Sequence, residues 1–146
     1  MGASIINDTS ALRDDPDLIR FVIEEELNVV LMHRQGTPET MQDNPQYSDV
    51  ITEVRDFFQG RIDDFVAAGG RKDQLIIDPG IGFGKRLEDN YLLAAELASF
   101  RSFGIPVMLG ASRKACTGAL DGAPPADRWP GSLAFVAMAQ RAAVEW

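Results

Sequence analysis

The chain has 146 residues, 45% of them apolar and 25% charged, an ordinary composition for a single globular domain spanning 1–146. A net charge of −8 argues against nonspecific nucleic-acid binding, which draws on basic side chains, and no apolar run approaches the roughly 18 residues of a membrane span. One cysteine, Cys116, excludes an internal disulfide, and one histidine, His33, argues against a structural zinc cluster, so any catalysis must lean on Asp, Asn, Lys and Arg.

The first residues, Met1-Gly2-Ala3-Ser4-Ile5-Ile6, lack the basic flank and apolar core of a signal peptide, and a cytoplasmic protein is expected. Ile5-Ile6-Asn7-Asp8 reads as a short buried strand ending in two polar residues. Asp15-Pro16 then supplies an N-cap and a proline at the first helical position, with Leu18, Ile19, Val22 and Ile23 at helical spacing. Asn28 is expected to close this helix. Glu24-Glu25-Glu26 reads as its solvated end.

Val29-Val30-Leu31-Met32 is apolar throughout, as suits a strand covered on both faces. It runs into the polar loop His33-Arg34-Gln35-Gly36-Thr37-Pro38. His33 there reads as a loop residue making local hydrogen bonds rather than as a general base. An amphipathic helix follows, with Val50, Val54, Phe57, Phe58, Ile62, Phe65 and Val66 in one stripe, and Gly69-Gly70 ends it.

Leu75-Ile76-Ile77-Asp78 reads as a third strand, and Pro79-Gly80 stops it so that Asp78 stands at the carboxyl end. In parallel α/β proteins that end is where ligands bind. Gly80, Gly82 and Gly84 remove side chains at alternate positions, so backbone N–H groups can approach a ligand or adopt unusual angles. Phe83 is the one bulky side chain on this loop, and its flat face suits a planar heterocycle. The same stretch also reads as a plain turn followed by a flexible connection. It is neither a Walker A loop, since Arg86 follows Gly84-Lys85, nor a Rossmann fingerprint.

A helix over 90–100 and a fourth strand, Val107-Met108-Leu109-Gly110, come next, then Ser112-Arg113-Lys114 and a Gly, Pro and Asp-rich loop over 121–130. The last helix is expected from about Pro130 to the end. Strand and helix thus alternate four times, with crossovers long enough for parallel pairing. Right-handed crossovers would bring Asn7, Met32, Asp78 and Lys114 to one rim. Taken singly, each has a plainer reading: Asn7 and Asp8 as a turn cap, Met32 as core, Arg113 and Lys114 as a solvated pair, Cys116 as a small buried apolar residue.

Four motifs in this order, Ile5-Ile6-Asn7-Asp8, His33-Arg34-Gln35-Gly36-Thr37-Pro38 with Met32 before it, Asp78-Pro79-Gly80-Ile81-Gly82-Phe83-Gly84-Lys85 and Ser112-Arg113-Lys114, resemble the dihydropteroate synthases. Arg128 and Gly131-Ser132-Leu133-Ala134 fit the same pattern. The resemblance implies an α/β fold, a partial (β/α)8 TIM barrel of about four parallel βα units matching strands four to seven. It also implies an activity, the condensation of 6-hydroxymethyl-7,8-dihydropterin pyrophosphate with p-aminobenzoate to give 7,8-dihydropteroate and pyrophosphate. By resemblance, Asn7 and Asp78 hydrogen-bond the pterin edge, and Met32 and Phe83 line the two substrate sites. Lys114 touches the pterin and organises the second substrate, and Gly110 and Arg113 complete the binding set. Asp78 and Lys114 would carry the chemistry.

The family pattern is matched only in part. Met1 lies just ahead of the family's fourth strand, and the strand bearing the pyrophosphate-holding Arg and His would follow Trp146. The family's cofactor is Mg2+, whose principal ligand belongs to the part not represented, so no metal ligand is expected in this chain. Ala115 stands where a hydroxyl residue often follows Lys114. The resemblance further implies a homodimer or another self-associating form and small-molecule substrates, with neither nucleic acid nor membrane as partner. A noncatalytic pterin-binding fragment and a pterin-dependent methyltransferase remain as alternatives.

Overall fold

The computed structural model describes residues 2–146. Three short strands, β1 (Ile5–Asp8), β2 (Asn28–Met32) and β3 (Leu75–Asp78), form one parallel sheet in chain order. The intervening helices are α1 (Leu18–Glu24) and α2 (Val50–Ala67), and α3 (Leu87–Ala95), α4 (Leu97–Phe100) and α5 (Trp129–Arg141) follow. No described helix is long and apolar enough to cross a membrane.

The register decides which side chains share a face. Ile6 pairs with Val29 and Val29 with Leu75, Asn7 with Val30 and Val30 with Ile76, and Met32 with Asp78. Side chains alternate across a strand. Val29, Leu31, Leu75 and Ile77 therefore face the helices and join the main core, with Phe58, Phe65, Leu93, Leu97 and Phe100. Asn7, Val30, Ile76, Met32 and Asp78 stand on the opposite face. Val30, Met32 and Ile76 are nonetheless buried there.

The fourth expected strand is reduced to one bridge between Ile77 and Val107. Its hydrogen bonds run from Ile77 N to the Pro106 carbonyl (3.0 Å) and from Met108 N to the Ile77 carbonyl (2.8 Å). On its other side the segment is held by residues from the chain's end, with Leu109 N donating to the Trp146 carbonyl (2.9 Å) and Trp146 N to that of Val107 (3.2 Å). Alignment is therefore strand-like while the pairing is too short to propagate. The polypeptide still follows a parallel βα course.

Helix ends depart from the sequence expectations for local reasons. Asp15 accepts from Asp17 N in a turn, so α1 starts at Leu18 rather than at Pro16, and Glu26 at φ 50 ends it, which frees Asn28 to open β2. Asp49 caps α2 through the amides of Ile51 and Thr52, satisfying two donors that every helix start leaves free. Within α2, Val50, Val54, Phe58, Ile62 and Phe65 are buried. Phe57 is only partly buried, and Val66 lies outside the stripe. The helix expected over 90–100 begins earlier, at Leu87, and breaks at Glu96.

Phe58 is fully buried and meets the Phe100 ring edge-on at 6.0 Å. Phe58→Ala should cost about 3–5 kcal/mol, because a close-packed core relaxes only partly around the lost ring. Urea unfolding of the purified variant reads this directly, and a loss below about 1 kcal/mol would contradict the packing described.

Candidate functional site

A cavity of about 290 Å³ opens on the sheet face opposite the helices, at the carboxyl ends of the strands. Asn7, Met32, Asp78, Phe83, Gly110 and Lys114 all line it, and strand parity explains why. Thr9, Met108 and Ser112 complete the lining. The sequence reading missed these three. Met108 was accessible to it, since a residue one strand over from Asp78 in parallel register shares its face.

Asn7 and Asp8 turn out to have different jobs. The Asp8 carboxylate is spent on its own loop, accepting from Ser10 N (3.0 Å), Ser10 Oγ (2.8 Å) and Leu12 N. That network supports Ala11 and Leu12 at positive φ. The Asn7 side chain is exposed on the inner face and has no hydrogen-bond partner among the described residues. The plain reading as a turn cap therefore applies to Asp8 and not to Asn7.

Asp78 is 4% exposed, and its Oδ1 accepts from Gly80 N at 2.7 Å. Among the described residues Oδ2 receives no hydrogen bond. Burial holds the carboxyl above its ordinary pKa, while the Gly80 N–H and the charges of Lys114 and Lys85 pull it back. The carboxylate is thus half satisfied by its own loop, with one oxygen open to a donor in the cavity.

Lys114 reaches over the Phe83 ring, its Nζ 4.4 Å from the centroid, and donates to the Ile81 carbonyl. One ring face is covered by this ammonium, so Phe83 is not the bare platform the sequence implied. Burial lowers the Lys114 pKa, and Asp78 opposes that shift. A Cβ at Gly110 would stand 3.5 Å from Asp78 Oδ2 and 3.9 Å from Lys114 Nζ, which shows how closely the backbone approaches both charges.

Phe83 and Lys114 also border a second hollow, of about 500 Å³, with Met41, Gln42, Lys85, Ala115 and Cys116. Cys116 is buried, as a small apolar residue would be. The two hollows share a wall, an arrangement suited to two ligands that meet.

Arg113 is not brought into either hollow. Its side chain is exposed, its φ is 53, and its backbone is clamped from α5: N donates to Ser132 Oγ (2.9 Å) and the carbonyl accepts from Arg128 Nη1 (3.2 Å). Arg128 and Ser132 therefore shape the turn ahead of Lys114.

The glycine loop also differs from expectation. Gly80 N is taken by Asp78 and Gly82 N by Asn90 Oδ1 (2.6 Å), so these amides do not await a ligand. Gly80, at φ 70, is required by close packing instead, since a Cβ there would collide with the His33 carbonyl. His33 is a buried loop residue, and its side-chain hydrogen bond is not local, since Nδ1 meets Lys85 Nζ at 2.9 Å, 52 residues away. Burial, and then Lys85, push the imidazole down to about 2, so it is neutral. Burial likewise lowers the Lys85 amine to about 7, against the pull of Asp78.

Among the described residues no group of three or more His, Cys, Asp or Glu side chains could hold a metal ion. Asp78 is the one carboxylate lining the cavity. These residues do not make a magnesium site.

The model of the family described as pterin binding enzyme matches residues 1–146. The dihydropteroate synthase of Escherichia coli strain K12 is 45% identical over 139 residues, 95% of this chain and 49% of that enzyme. Among solved structures, the Yersinia pestis dihydropteroate synthase in a sulfonamide drug complex superposes with a TM-score of 0.95 at 41% identity, over 99% of this chain and 52% of the other. The Xanthomonas albilineans enzyme in complex with 7,8-dihydropteroate gives 0.87 at 40%, over 97% and 51%. The chain spans about half the length of the relatives it matches, and its βα units are a partial TIM barrel. With the family model matching along the entire sequence and the inner-face cavity built from the motif residues, the chain belongs to the pterin binding enzyme family.

Proposed function

We propose that the inner-face cavity binds a pterin, and that the protein acts as a dihydropteroate synthase, joining 6-hydroxymethyl-7,8-dihydropterin pyrophosphate to p-aminobenzoate. The observation that carries this reading is the pair of open polar groups, the Asn7 side chain and Asp78 Oδ2, facing one cavity walled by Met32, Met108 and Phe83. A pterin edge offers adjacent N–H donors, which a carboxylate oxygen and an amide oxygen can accept, and its flat faces suit apolar walls. Two solved structures of the Xanthomonas albilineans synthase support it, one with 7,8-dihydropteroate and one with 4-aminobenzoic acid.

In this reading the pterin methylene points toward Phe83 and Lys114, where the second hollow begins. The bond from the methylene to the pyrophosphate oxygen breaks, and the electron pair leaves with pyrophosphate. Positive charge developing on the methylene and ring is stabilised by Asp78 in a pocket of fixed dipoles. The aniline nitrogen of p-aminobenzoate then supplies its lone pair to form the C–N bond and loses a proton. Lys114 holds the Phe83 ring between the two substrates. No side-chain nucleophile is needed.

We also propose that the chain self-associates. Trp129 (63% exposed), Leu133, Val136 and Trp146 surround an apolar groove of about 520 Å³ beside Leu109 and Ala111. Contiguous exposed surface of this kind drives association. Sedimentation velocity over a wide concentration range should show a rising mass, and a constant monomer would contradict it.

Asp78→Asn should weaken binding of 6-hydroxymethylpterin by about 1–3 kcal/mol, because the amide presents a donor where Oδ2 accepts. The apo protein should not lose stability. The folded-state pKa of Asp78 is raised, so the folded protein binds this proton more tightly than the unfolded chain does, and stability falls as pH rises from the unfolded pKa through the folded one. Asparagine removes that cost at neutral pH. Calorimetry with thermal melts checks both halves, and unchanged pterin affinity would take Asp78 out of the site.

Lys114→Ala should cost about 1 kcal/mol of stability, mostly its contact with Phe83. In a protein that turns over both substrates it should slow turnover by more than that loss of stability implies. Equal melting and equal turnover would leave Lys114 a surface charge.

A further inference from the structure

We propose that Lys85 is a positioning residue of the site, a buried ammonium that ties the end of β2 to the glycine loop after β3 and so fixes where Phe83 stands. The proposal rests on the pterin reading above for its consequence, and on geometry alone for the tie itself. Lys85 is 4% exposed, and an ammonium has three donors. All three have partners: His33 Nδ1 at 2.9 Å, the His33 carbonyl at 3.2 Å and the Phe83 carbonyl at 3.1 Å. Two of these acceptors belong to the residue that follows β2, and the third to Phe83 itself.

Burying an ammonium is costly unless its donors are met, so the tripod is a committed structural choice and not an incidental contact. The neutral imidazole of His33 can accept at Nδ1, and its ring is fixed edge-on by Phe57 at 4.8 Å. Other contacts close the same seam. Tyr47 donates to the Gly84 carbonyl (2.6 Å), and Gln42 Nε2 to that of Gly82 (2.7 Å). A Cβ at Gly84 would strike the Gln35 carbonyl. The two loops are thus interlocked, with the Lys85 amino group at the centre of the seam among these contacts. Lys114 holds the Phe83 ring from above, whereas Lys85 holds its backbone from below.

If Lys85 acts through Phe83, removing it should harm the ligand that reaches past the pterin more than the pterin itself. The test measures affinities of 6-hydroxymethylpterin and of pteroate for the unaltered chain, Lys85→Met, Lys85→Gln and Asp78→Asn. Lys85→Met should lower pteroate affinity by about tenfold more than hydroxymethylpterin affinity, with Lys85→Gln, which keeps two donors, in between. A uniform loss for both ligands, or none in a folded variant, overturns the proposal, since a merely structural residue would move both alike. Asp78→Asn should weaken both ligands, and its failure to do so would sink the pterin reading without touching the tie. The tie has its own readout in amide hydrogen exchange compared between the unaltered chain and the Lys85 variants. The Gly80, Gly82 and Phe83 amides, bonded to Asp78, Asn90 and Gly80, should lose protection in Lys85→Met and less so in Lys85→Gln, whereas unchanged protection in a folded variant, or failure of both variants to fold, would overturn the positioning role.

Discussion

A carboxylate almost wholly removed from water at the end of β3 is the constraint on which the rest of the site depends. Asp78 is 4% exposed, and an isolated buried charge of this kind costs several kcal/mol. The loop after it answers part of that cost with the Gly80 N–H, which requires the chain to turn back at once. Lys114 and Lys85 answer another part, and each needs carbonyl acceptors of its own, supplied by Ile81, Phe83 and His33. Gly80 and Gly84 follow from this crowding, since backbone from the β2 loop lies where their side chains would be, and at Gly82 the Lys114 side chain does. One oxygen, Oδ2, is left without a hydrogen-bond partner among the described residues and faces the cavity.

The same economy separates the two faces of the sheet. On the helix side, Val29, Leu31, Leu75 and Ile77 meet Phe58, Phe65 and Phe100 in a closed apolar core. On the other, polar groups alternate with Val30, Ile76 and Met32, and the cavity stands where the strands end. Stability therefore resides largely in α2 and its contacts, and the cavity lies among the loops that follow the strands. Those loops are stiffened by one another, through the seam between residues 33–47 and 78–85, and are anchored to the core by Tyr47 and Ile81.

Much of this was legible in the sequence, and what was not had a physical reason. Apolar runs ending in Asn7, Met32 and Asp78 mark strands and their polar ends, and the motif resemblance pointed to the same residues. The register that turns Asn7 inward and leaves Asp8 to its own loop depends on pairing between strands, which no single stretch encodes. Pairing through Ile77 and Val107 stops at a bridge, and the 107–110 segment is held on its far side by the chain's last residues, far along the sequence, which no local pattern announces. Lys85 and His33 lie 52 residues apart, and neither carries a local sign of burial or of the other. Arg113 was grouped with the site by its neighbours in the motif, whereas its backbone sits at positive φ, held by Arg128 and by Ser132 of α5, and its side chain is exposed outside both hollows.

The most direct measurement is a crystal structure of the chain soaked with 6-hydroxymethylpterin. The account predicts the ring on the inner sheet face, with its amino edge within hydrogen-bond distance of Asp78 Oδ2 and the Asn7 side chain and its 6-substituent directed at Phe83. A pterin bound in the apolar groove beside α5, or on the helix side of the sheet with Asp78 Oδ2 still open, would contradict it.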